Sequence, residues 1–223
     1  MDVESDGSVV LTDPYADIEK RFSGSSSGKR IQRQFSANEW DQLSNSRKQS
    51  YKRVNAASDF ETFMNPDGSA QVIAQPDAWY YGEGIAGKSY YGNFNQLRLV
   101  KELYPNVEIG FALGGWTLSG DFSVALGKQS GREKFTDDII GILKQYDFFS
   151  VVDFDWEYPG GGGLESNSVS PDDGKNLALT LELLRTKLDT LENSTGRDFD
   201  ISIATAGGVS KLQNLNIPGI DPY

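Results

Sequence analysis

The 223-residue chain contains no cysteine and no histidine. Without cysteine it can form no disulfide, no thiolate zinc site and no cysteine nucleophile. Without histidine, a Ser-His-Asp triad and any His-ligated metal are excluded. Acid–base chemistry must therefore come from carboxylates, Tyr or Lys, and no metal and no cofactor is expected. Positive charge is also scarce, with 21 Lys and Arg against 32 Asp and Glu and a formal net charge of −11. Such a surface repels phosphate backbones, so nucleic acid is not an expected partner. It suits a neutral or a cationic substrate equally. No apolar run approaches the length needed to span a membrane. No basic-then-apolar leader follows Met1, so any native signal peptide is expected to lie outside these residues. Absent cysteines fit the cytosol and many secreted bacterial proteins alike. With 24% charged and 38% hydrophobic residues, the chain reads as globular rather than disordered.

The order of elements is more informative. Val9-Val10-Leu11 reads as a short strand, followed by Asp13-Pro14 and the start of a helix. Ser23 to Gly28 is Ser-Gly-Ser-Ser-Ser-Gly, a flexible low-complexity stretch. Residues 29 to about 92 are polar and aromatic with weak periodicity, and Ser36 to Tyr51 is a candidate helix. Trp79-Tyr80-Tyr81 and Tyr90-Tyr91 stand among glycines. The whole of about 23–92 reads as a long insertion without a core of its own.

Regular alternation begins after Gly92. A helix is expected over Asn95–Leu103, a strand over Val107–Leu113 and a helix over Arg132–Tyr146, with Phe135, Ile139, Ile140 and Leu143 on one face. A second strand is expected over Phe148–Trp156. A long helix over Asp172–Glu192, capped by Asp172 or Asp173, carries a stripe of Leu177, Leu181, Leu184 and Leu188. A third strand is expected over Phe199–Ala204. Alternating strands and helices imply parallel pairing, in an open doubly wound sheet or a barrel. Gly114-Gly115-Trp116 lacks the Gly-x-Gly-x-x-Gly pattern, which argues against dinucleotide binding. A complete barrel needs eight strands in typically about 250 residues. About three core strands and part of a fourth are visible, so the expected fold is a partial (β/α)₈ barrel.

The second strand carries the chemistry. In Asp153-Phe154-Asp155-Trp156-Glu157-Tyr158-Pro159, alternation places Asp153, Asp155 and Glu157 on one face, roughly 6.6 Å apart. Phe154, Trp156 and Tyr158 fall on the other. Clustered like charges raise at least one pKa, which can keep a carboxyl protonated as a general acid. Glu157, last on the strand and longest in reach, is the expected donor. Two other readings are a solvated edge strand and an oxygen-ligand site for Mg²⁺ or Ca²⁺. The flanking Phe148-Phe149, Val151-Val152, Phe154 and Trp156 favour a central strand, where idle carboxylates would be costly.

This segment resembles the signature strand of family 18 glycoside hydrolases, the chitinases. Ala112-Leu113-Gly114-Gly115-Trp116-Thr117 resembles the preceding barrel strand of that family, in the same order along the chain. Val9–Arg21 resembles the loop after the second barrel strand, and Phe199–Ala206 the fifth strand. The resemblance covers most of the chain outside 23–92, making 1–223 a partial catalytic domain. It implies a retaining, substrate-assisted cleavage of chitin or chitooligosaccharides. It implies Glu157 as general acid/base, Asp155 as the residue orienting the substrate acetamido group, and Asp153 as its support. Trp116 would be a platform for a sugar ring, with core packing the alternative. Gly114, Gly115 and Thr117 would shape the adjacent wall, and Tyr158 would line the cleft.

Two positions depart from the family pattern: Ser150 stands where an Asp is usual, and Ala112 where a Ser is usual. Both are expected to cost Asp153 hydrogen bonds. A Met-x-Tyr-Asp strand is absent, and the first strand is expected to precede Met1. The rest of the barrel would then come from further segments of the parent chain, and this part alone is expected to be inactive. The implied setting is extracellular, with no membrane partner. The rival functions are a chitinase-like lectin that binds without hydrolysis and a subunit of a larger assembly. Retention of Glu157 favours catalysis.

Overall fold

The computed structural model describes residues 1–20, 33–36, 42, 51–53, 71–76, 82–83, 89–90 and 92–223. The chain divides into two compact units, one of residues 1–12 with 108–223 and the other of residues 13–107.

The first unit is built on three parallel strands. β8 (Gly110–Gly114), β9 (Val151–Asp155) and β10 (Asp200–Ile203) pair in the order β10-β9-β8. β9 is thus the central strand, and the solvated-edge reading of its acids fails. Burial alternates along it: Val152 and Phe154 are buried, and Asp153 and Asp155 are half-buried. β8 follows the same rule, burying Phe111 and Leu113 and leaving Gly110 and Ala112 on the open face. One face of the sheet is therefore apolar and the other carries the carboxyls.

Helices cover the apolar face. α2 is Phe122–Leu126, α3 is Gln129–Gln145 and α4 is Asp173–Thr195. α3 buries Phe135, Ile139, Ile140 and Leu143, the four residues its periodicity selected. α4 buries Leu177, Leu181, Leu184 and Leu188 and extends the stripe to Leu191. It runs three residues past the expected stop at Glu192, because the residue that can adopt the left-handed terminating conformation is Gly196, at φ +68°. β9 is shorter than expected at both ends. Phe148 and Phe149 leave the ladder for an aromatic cluster, with Phe149 edge-on to Phe111 at 5.1 Å between centroids. Arg197 fastens that region, donating to Leu143 O at 3.2 Å and Phe149 O at 2.6 Å. Two short helices follow β10, α5 (Val209–Leu212) and α6 (Ile217–Ile220).

The chain start flanks the other side of β8. Met1 N donates to Ala112 O at 2.7 Å, and Gly114 N donates to Met1 O at 3.0 Å. The short strand expected at Val9-Val10 is present: β2 (Val9–Val10) pairs antiparallel with β1 (Asp2–Val3) in a small hairpin.

In the second unit, Tyr15–Glu19 forms a π-helix and α1 spans Gly92–Leu103. Lys20 O accepts from Gly92 N at 2.9 Å. β3 (Arg33–Ser36), β5 (Gln71–Pro76) and β4 (Tyr51–Arg53) form an antiparallel sheet, and β6 (Gly82–Glu83) pairs with β7 (Ser89–Tyr90). Ser36 and Tyr51, the ends of the candidate helix, are strand residues instead. The low-complexity Ser23–Gly28 and the pair Tyr80-Tyr81 lie outside the described residues.

Candidate active site

The strand register decides what surrounds the acids. Asp155 stands opposite Gly114 of β8, and Asp153 stands between Ala112 of β8 and Ser202 of β10. Ser202 Oγ donates to Asp153 Oδ1 at 2.5 Å. The neighbouring strand thus supplies a hydrogen bond where Ala112 cannot, so the expected loss at Asp153 is made good across the sheet. Ser150 turns elsewhere and bonds Glu108.

Asp155 has its pKa raised, first by burial and then by the negative charges of Asp153 and Glu157. Its carboxyl holds a proton more tightly in the fold than in the unfolded chain. Stability from this group is present below the ordinary value of 3.8 and is lost as pH rises through the folded-state value. Asp155→Asn should therefore melt at a higher temperature than wild type at pH 7. The difference should vanish at pH 3, where both states of the wild-type residue are protonated. Thermal melts of the two proteins at the two pH values check this, and a lower melting temperature for the variant at pH 7 would contradict it.

The loop after β8 needs its glycines. Gly114 and Gly115 both sit at φ +94°. A Cβ on Gly114 would also meet Phe122 Cε2 at 2.7 Å and Asp155 O at 2.8 Å. Gly115 N donates to Asp155 O at 2.8 Å, tying the loop to the acidic strand. Trp116 and Thr117 follow at the surface, and Trp116 is 49% exposed. Trp116 is therefore not core packing. Among the described residues the buried indole is Trp156, stacked on Phe122 at 5.3 Å and 12°.

Glu157 lies two residues beyond the end of β9. Alternation places Trp156 correctly but not Tyr158, because the ladder has ended. The Glu157–Tyr158 peptide is cis. Tyr158 hydrogen-bonds the Glu157 carboxyl, and this bond is the main cause of its raised pKa. Tyr158 thus belongs with the acids and not with Phe154 and Trp156.

Three further residues hold the site, and sequence patterns did not single out their roles. Ser119, fully buried, accepts from Glu157 N at 2.9 Å and has Gly115 O and Asp155 O at 2.9 and 3.1 Å. Asn167 Nδ2 donates to Glu157 O at 3.1 Å. Asp173 does not cap α4. Its buried carboxyl accepts from Ser123 Oγ (2.6 Å), Ser170 N (2.9 Å) and Gly160 N (3.1 Å), joining α2 to the glycine loop after Pro159. Asp172, at the N-cap position, makes no side-chain cap bond either. The bonds that tie these residues to Glu157, Gly160 and Ser123 span 10 to 50 positions and leave no local pattern, which is why their roles were not legible. Among the described residues, no three Asp or Glu side chains converge closely enough to hold a metal ion.

The model for glycosyl hydrolases family 18 matches residues 28–223 of the chain. The chain belongs to this family. Chitinase A1 of Niallia circulans is 34% identical over 165 residues, 72% of this chain and 23% of that protein. A chitinase of Autographa californica nuclear polyhedrosis virus is 39% identical over 136 residues, 60% of this chain and 24% of that one. The family 18 chain thus spans about a quarter of the length of each of these two relatives. A chitinase of the Yersinia entomophaga toxin complex matches its structure with a TM-score of 0.53 and 29% identity, over 65% of this chain and 26% of that one. Its three parallel strands and covering helices are accordingly part of a (β/α)₈ barrel, with the acids on the inner face and Glu157 at the carboxyl end of its strand.

Proposed function

We propose that this family 18 chain is part of a chitinase that cleaves β-1,4 links between N-acetylglucosamine units with retention of configuration. The observation that carries this reading is the placement of Glu157 just past β9, beside Asp155 whose carboxyl is biased towards its protonated form.

In the proposed mechanism Glu157 gives its proton to the glycosidic oxygen as the link breaks. The oxygen of the substrate's own N-acetyl group bonds to the anomeric carbon, so no enzyme carboxylate does. Asp155 receives the acetamido N–H and turns that oxygen towards the carbon. Asp153, held by Ser202, supports Asp155. Glu157, now a carboxylate, takes a proton from the water that opens the intermediate. Trp116 offers its exposed face to a sugar ring. Gly114, Gly115 and Thr117 form the wall beside it, and Tyr158 borders the leaving oxygen.

Chitin lies outside the cell, so the reading also implies export. Among the described residues no helix is long and apolar enough to cross a membrane. The test is turnover of a fluorogenic chitobioside by the full-length protein. Release of fluorophore supports the reading. No turnover, with retained binding to chitin oligomers, would replace it with a lectin.

A further inference from the structure

Glu157 carries the chemistry proposed above, yet the sheet does not hold it. β9 ends at Asp155, so neither the amide nor the carbonyl of Glu157 enters a strand ladder. Main-chain polar groups at such a position need other partners. Both partners here are side chains, and they come from different loops. Ser119, from the loop after β8, accepts the Glu157 N–H at 2.9 Å. Asn167, from the loop before α4, donates to the Glu157 carbonyl at 3.1 Å.

Each partner is itself held. The Ser119 hydroxyl has Gly115 O at 2.9 Å and Asp155 O at 3.1 Å as acceptors, so the same oxygen that fixes Glu157 also fixes the glycine turn preceding Trp116. Ser119 is fully buried. Asn167 N donates to Leu164 O at 3.0 Å, and the neighbouring Ser168 N to Gly120 O at 3.1 Å, next to Ser119 in sequence. Gly163 presses on the same carbonyl: a Cβ there would lie 1.9 Å from Glu157 O. The two loops thus close on the Glu157 main chain from its two sides.

We propose that Ser119 and Asn167 are positioning residues that clamp the Glu157 main chain, setting where its carboxyl reaches and locking it to the loop that bears Trp116. This rests on the proposed role of Glu157 as the acid. A displacement of about 1 Å at a reacting group can cost about 10²-fold in rate.

The test uses Ser119→Ala and Asn167→Ala in the full-length protein, with two readouts. On the fluorogenic chitobioside each variant should lose about 10- to 100-fold in kcat, with KM within about threefold. In native-state hydrogen exchange, protection should fall in Ser119→Ala at the Glu157 amide and not along β8, β9 and β10. Asn167→Ala keeps the buried serine, so it tests the clamp even if Ser119→Ala does not fold. Unchanged exchange at Glu157 in Ser119→Ala, or kcat within twofold of wild type in both folded variants, would overturn the clamp. Exchange accelerating across the whole sheet, with kcat falling only in step with the folded fraction, would reduce both residues to general stabilisers and overturn it too. A wild-type protein without turnover would defeat the chitinase reading, while exchange at Glu157 would still decide whether the clamp exists.

Discussion

Glu157→Gln in the full-length protein is expected to lower turnover of a fluorogenic chitobioside by about 10²- to 10⁴-fold, the usual worth of a general acid. Gln keeps the size of the side chain and can still meet the Tyr158 hydroxyl, but it has no proton to give. The main-chain contacts of Glu157 to Ser119 and Asn167 do not involve the carboxyl and should persist. Binding to chitin oligomers should therefore survive in the variant, with the loss confined to kcat. A variant within tenfold of wild type would mean that another group supplies the proton. Asp155, whose pKa burial raises, would then be the next residue to replace.

Phe122→Ala should be the most damaging core substitution near the site, at about 3–5 kcal/mol. Phe122 is fully buried, lies parallel to Trp156 at 5.3 Å between centroids and meets Phe135 edge-on at 6.2 Å. Phe135 in turn meets Phe154 at 5.4 Å. The chain of rings joins α2 and α3 to the apolar side of β9, directly behind the acids. Phe122 also closes the space beside Gly114, where an added Cβ would touch its ring. Its removal would empty the support under both the glycine turn and the residue before Glu157. Denaturant unfolding of wild type and variant measures the cost, and a loss below about 1 kcal/mol would show that the ring stack is not a principal support. Turnover should fall beyond the loss of folded protein, because the turn and the acid share this backing.

The elements whose burial repeats along the chain were legible. The stripe of α4 and the buried face of α3 matched because a helix that covers a sheet must put apolar residues on one side. The alternation in β9 was equally plain, since two-residue periodicity sorts Val152 and Phe154 from Asp153 and Asp155. Boundaries failed where a local signal met a tertiary one. Phe148 and Phe149 look like strand residues but are taken by an aromatic cluster, and Asp173 looks like a cap but is consumed by three partners outside the first turn of α4.

By itself, then, the sequence determined the alternation of the three parallel strands with the long helices after Gly92, the acidic face of β9 and the glycine turn before Trp116. Those depend on periodicity and on backbone conformations open to few residue types. Only the tertiary structure decided that Ser202 replaces a missing partner of Asp153, that Tyr158 turns to Glu157, and that Ser119 and Asn167 hold the acid's main chain. The bonds of Ser202, Ser119 and Asn167 join groups brought together by strand register or loop closure, and neither leaves a trace in the spacing of residues along the chain; Tyr158 and Glu157 are chain neighbours, and their pairing depends on the strand ending at Asp155.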